Sequence, residues 1–217
     1  MLATGSDDFA DILVPLLTSK DRQVRISAYD AGDAFYPTSL GADWRGVVES
    51  WDEDARADFV FEVTHRGLMA DIGENFAMND PSAKVRQRAI QELSWISAAD
   101  ALTRIVNSLN DADLDAAFPA FIPQTIPEGL RPRFVAVNRR LLMSEETPLA
   151  RVRRLLHGIE LGDIAIASDL MTELTALSPP LDQYAAHAIE QALKIVKKND
   201  PIWVSTWVTT KLLDGTL

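Results

Sequence analysis

The sequence predicts an all-α chain, an α-solenoid of about five stacked helix pairs, on three observations. A proline-marked turn precedes a new helical segment four times, at Asn79-Asp80-Pro81, Thr147-Pro148, Ser178-Pro179-Pro180 and Asn199-Asp200-Pro201. The phrase Asp-x-x-Val-Arg-x-x-Ala at Asp21–Ala28 returns in part as Val85-Arg86-x-x-Ala89 behind Asp80-Pro81. The turns at Asp80, Asp111, Thr147 and Pro179 lie 31, 36 and 32 residues apart, the drift of a degenerate repeat. At roughly 30–45 residues per helix pair, 217 residues hold about five.

Each element follows from local pattern. Phe9, Ile12, Leu13, Leu16 and Leu17 form an amphipathic stripe after Asp7 or Asp8 as cap. Lys20-Asp21 leads into a second helix with Val24, Ala28, Ala31 and Phe35 inward, ended by Pro37. Residues 36–50, with Gly41 and Gly46, read as an irregular insertion. Ser50-Trp51-Asp52-Glu53 has the form of a capping box, in which serine and glutamate satisfy free backbone N–H groups. The helix it opens runs through Phe59, Val63, Ile72 and Phe76 to about Met78, with a break at Gly67 or Gly73. After Pro81 a helix buries Val85, Ala89, Leu93 and Ile96; helices 98–108 and 113–118 follow around Asn110-Asp111. Pro119, Pro123, Pro127 and Pro132 are too dense for a helix interior and mark a break near 119–132. Helices 133–143, 148–160, 164–177 (capped by Asp163) and 182–198 then precede a last helix through Trp203, Trp207, Leu212 and Leu213. Proline at the first helical position costs nothing there, because that N–H has no partner in any case. No stretch sustains period-two alternation, and Val60–Val63 is read as helix. The chain is expected to be one domain over 1–217, with a possible division into 1–118 and 133–217.

Composition narrows the chemistry. Cysteine is absent, which removes disulfides, thiolate catalysis and cysteine-held metals, and suits a cytoplasmic protein. No apolar run reaches the length of a membrane span, and Asp7-Asp8 stands where a signal peptide needs positive charge. The net charge of −11 is uneven: residues 1–80 carry 16 acidic and 6 basic side chains, residues 81–217 carry 16 and 15. The acidic third repels nucleic acid and anionic membranes.

Asp80, Pro81, Val85, Arg86 and Ala89 resemble the turn and second helix of HEAT-repeat proteins. Asp21, Val24, Arg25 and Ala28 match without the proline, and Thr147-Pro148 with Val152-Arg153 matches in part. The resemblance implies an α-solenoid that binds another protein, with Arg25 and Arg86 in a structural ladder between repeats. The chain is also similar to helical regions that trail the nucleotide-binding module of bacterial signalling ATPases. It contains no G-x-x-x-x-G-K-[ST] loop of its own.

His65, His157 and His187 lack metal-ligand spacing, and Asp52, Glu53, Asp54 and Asp58 are acids expected at a helix start from the macrodipole. No nucleophile elbow or phosphate loop occurs, so no cofactor, metal or catalytic residue is expected. On a helical wheel Trp95 falls opposite Val85, Ala89 and Leu93, beside Lys84, Arg88 and Gln91. An aromatic among long polar side chains has the composition of an interface hot spot, or else another repeat covers it. Lys84, Arg88, Gln91, Glu92 and Trp95 are the candidate contacts to a protein partner, on a concave face made by second helices. The alternative is a nucleic-acid groove of the HEAT-like glycosylase kind, lined by Arg133, Arg140, Arg151 and Arg154. The acidic balance and the lack of tryptophan in that stretch argue against it.

Overall fold

The computed structural model describes residues 6–31, 37–178 and 185–213. Among these, all regular structure is helical and no strand occurs. Contacts divide the chain into two compact units, Met1–Pro127 and Glu128–Leu217, with the division inside the proline-rich stretch.

The first unit contains α1 (Ser6–Leu17), α2 (Arg22–Asp30), α3 (Trp44–Glu49), α4 (Glu53–Val60), α5 (Ala70–Asn79), α6 (Ala83–Trp95), α7 (Ala99–Ser108) and α8 (Asp111–Ala117). A π-helical segment, Phe61–Arg66, continues α4. α2 packs on α4 and α4 on α6; α1 packs on α2, and α5 lies against α6 and α7. The core is aromatic at its centre: Phe59 lies 5.8 Å from Trp44, 5.9 Å from Trp51 and 5.8 Å from Phe76, ring centre to ring centre. Gly73 allows α5 to touch the π segment closely, since a Cβ there would stand 2.6 Å from Thr64.

The second unit contains α9 (Arg131–Ser144), α10 (Pro148–Glu160), α11 (Asp169–Thr175), α12 (Ala185–Asn199) and α13 (Pro201–Leu213). Its core gathers Val152, Leu155, Leu170, Leu174, Ile189, Ala192 and Trp207. The Trp207 indole donates to the Leu174 carbonyl at 2.9 Å, so this tryptophan is interior, whereas Trp203 is half-buried. Side-chain acceptors act at the proline turns as expected, Thr147 as the N-cap of α10 and Asp80 and Asp200 in the turns ahead of α6 and α13. Asp80 accepts from the Ser82 N–H, Thr147 from that of Ala150, and Asp200 from that of Trp203.

Several local expectations are corrected. Asp7 and Asp8 lie inside α1, not ahead of it, and Ile12 and Leu16 are exposed. α2 ends at Asp30, well before Pro37, and its phase is rotated: Val24 is 37% exposed while Arg25 is 3% and Tyr29 2% exposed. On the inward face Arg25 pairs with Asp58 and donates to the Ser19 carbonyl, and Tyr29 is buried one turn further on. Ala31 is exposed too, and Phe35 lies outside the described residues. The insertion contains a 3-10 turn at Pro37–Leu40 followed by α3. Ser50 ends α3, with its hydroxyl donating to the Val47 carbonyl, and Asp52 alone caps α4 by accepting from the Ala55 N–H. The helix expected at 164–177 is a 3-10 turn, Ile164–Ile166, followed by α11, and Asp163 makes no side-chain cap. Pro179 and Pro180 of the expected proline turn and the start of the helix expected from 182 fall outside the described residues.

Candidate functional site

One arginine device recurs in this fold. Arg25, Arg56, Arg86 and Arg151 each stand four residues after the N-cap of α2, α4, α6 and α10. In each the guanidinium turns back to a carbonyl that ends the preceding turn: Ser19, Trp51, Asp80 and Glu145. Three of them also reach an acid on a later element. Arg25 Nε donates to Asp58 at 2.8 Å, Arg56 holds Asp80 in a two-pronged pair, and Arg151 meets Glu173 at 2.8 Å. The fork of Arg56 on Asp80 fixes both distance and plane. Arg151 therefore takes the position in α10 that the sequence suggested for Arg153.

Above this ladder, α6 presents Lys84, Arg88, Gln91 and Trp95 at helical spacing. Trp95 is 60% exposed and is the last residue of α6. The helix stops there in a Schellman cap: Ala98 N–H donates to the Leu93 carbonyl and Ser97 N–H to that of Ser94. Ser97 sits at φ 55°, where glycine is usual. Glu92, expected as a surface contact, is 2% exposed and lies beneath. Its Oε1 forms an ion pair with Arg88 Nε at 2.9 Å, and its Oε2 is 2.7 Å from His65 Nδ1. A carboxylate this buried is tolerated because it is paired, and it fixes both partners.

The π segment completes the surface. Its wider turn, with the Gly67 N–H donating to the Glu62 carbonyl five residues back, brings Phe61 and His65 beside α6. The His65 ring lies edge-on to Trp95 at 6.2 Å and 5.3 Å from Phe61. The Arg88 guanidinium stacks over Phe61 at 4.7 Å and that of Arg66 at 5.8 Å. Below, Arg66 bonds Asp30 and the buried Glu62. Burial holds the Glu62 carboxyl above the ordinary carboxylate value, with Arg66 pulling it back. Burial, reinforced by Glu62 and Asp58, pushes the Tyr29 phenol well above its usual value. Lys84 bonds Asp54, and a shallow groove of about 370 Å³ runs along Lys84, Arg88 and Gln91 to Pro119.

Phe61, His65 and Arg66 were not singled out for this surface from sequence. The i, i+4 spacing of Phe61 and His65 was visible, but the π turn that aims them at Trp95 was not. The arginine-rich stretch is spent internally. Arg139 forks onto Asp163, Arg151 meets Glu173, and Arg154 Nε donates to Glu145 at 2.8 Å. Arg133 and Arg140 also have partners. Arg151 and Arg154 thus present little net charge to a phosphate. Among the described residues no cluster of His, Asp and Glu is placed to hold a metal ion, and no helix is long and apolar enough to cross a membrane. Comparison with family models, curated proteins and solved structures finds no significant match to the chain.

Proposed function

We propose that this chain is a non-enzymatic interaction module whose helix pairs stack in the manner of HEAT repeats within each unit and whose α6 surface docks another protein. The observation that carries it is Trp95: a largely exposed indole braced by His65, with Phe61 under two guanidinium groups and the whole held by buried Glu92. Surface tryptophan is costly in solution, and tryptophan with arginine dominates binding hot spots. Side chains already locked lose little entropy on association. The arginine ladder supports the repeat reading, since Arg25 ties α2 to Asp58 of α4 and Arg56, 31 residues on, ties α4 to Asp80 ahead of α6. Residues 1–80 carry the acidic excess, which suits a cytoplasmic protein surface more than nucleic acid.

Site-specific photo-crosslinking in cells tests this. A photoreactive residue at Gln91 should trap a discrete protein, one at exposed Asn107 should not, and Trp95→Ala should abolish the Gln91 product while the melting temperature stays within a few degrees. Equal crosslinking from Gln91 with and without Trp95 would refute it.

A further inference from the structure

Elsewhere in the same unit, the short insertion helix leaves a gap. α3 is only 6 residues long, and between it and α5 opens a cavity of about 400 Å³. That volume lies within the range of about 300–1,000 Å³ typical of small-molecule sites. Trp44, Ile72 and Phe76 supply its apolar wall. At its base Arg56 and Asp80 are fully engaged with each other and with backbone, so they insulate the floor rather than bind.

The rim differs from the rest of the surface. Arg45 stacks on Trp44 at 4.7 Å and makes no ion pair among the described residues. Glu49 and Asp71, also on the lining, have no basic partner among the described residues. Asn75 and Asn79, one and two turns after Asp71 on α5, add amides that bond to nothing else among the described residues. Most other charges near the ladder are paired; here both signs stand open around an aromatic wall.

We propose that this cavity binds a small zwitterion, an α-amino acid with an aliphatic or aromatic side chain. Its carboxylate meets the Arg45 guanidinium, its ammonium meets Asp71 with Glu49 nearby, and its side chain lies against Ile72, Phe76 and Trp44. The acidic excess of residues 1–80 draws in the ammonium end. The inference is independent of the α6 surface.

The test is calorimetry and thermal melting of the full chain with L-leucine and L-phenylalanine. Phenethylamine lacks the carboxylate and 3-phenylpropionate lacks the ammonium. A zwitterion should bind and raise the melting temperature. Each single-charge analogue should bind at least tenfold more weakly. Asp71→Asn and Arg45→Gln, both at exposed positions, should each weaken the zwitterion tenfold or more without lowering the melting temperature of the unliganded protein. Arg104→Gln, an exposed residue paired with Glu74 and not on the cavity lining, should bind as wild type. Absence of binding by both amino acids, or affinity unchanged in Asp71→Asn, overturns the proposal; tighter binding of the amine than of the amino acid replaces it with a plain cation site.

Discussion

Two ion pairs of similar geometry should differ greatly in what they contribute. Arg56 and Asp80 are 8% and 7% exposed, whereas Arg104 forks onto Glu74 from an exposed position. Arg56→Ala strands a buried carboxylate and leaves the Trp51 carbonyl without its donor, so it should cost about 3–5 kcal/mol in urea unfolding. Arg104→Ala should cost at most about 1 kcal/mol. Glu62 gives a pH test. Its folded carboxyl is held above the unfolded value by burial, so its contribution to stability is fully present below the unfolded pKa. That contribution is lost as pH rises through the folded pKa. The stability of wild type relative to Glu62→Gln should therefore fall from acid toward neutral pH, measured as paired unfolding curves at matched salt. A difference that stays flat, or rises, would remove burial as the dominant influence on Glu62.

At the scale of elements, termination decides where side chains point. α10 ends with Gly162 at φ 98°, the Asp163 N–H donating to the Gly158 carbonyl. α6 ends in the same motif with Ser97 in glycine's place. Ser97→Gly relieves a left-handed backbone strain of about 1 kcal/mol and should raise the unfolding free energy by roughly that amount, with Gln91 crosslinking retained. Much at this scale was legible. α10 occupies 148–160 as expected because Thr147 caps, Pro148 starts and Gly162 stops it. The π segment was not, because no local propensity distinguishes Phe61–Arg66 from ordinary helix. The capping box failed because Ser50 was already committed to closing α3.

For the whole molecule, the second unit's main apolar cluster is drawn from α10 to α13 and their connecting turns, with half-buried Leu142 of α9 packed on it, while α9 also buries Phe134 and Val137. Residues 128–217 expressed alone should therefore give a cooperative helical melt by circular dichroism. A non-cooperative, dye-binding state would show that this core needs the first unit.

The helical class, most helix boundaries from Asp80 onward and the polar setting of Trp95 were determined by the sequence itself, because capping, proline punctuation and 3.6-residue periodicity act within one or two turns. The inward turn of Arg25 in place of Val24, the sinking of Glu92 beneath Arg88 and His65, and the gap beside α3 were decided only by tertiary structure. Each depends on a partner some 20 to 30 residues away or more, such as Asp58 or His65. A charged side chain looks solvent-bound in sequence until the fold supplies the opposite charge that makes its burial affordable.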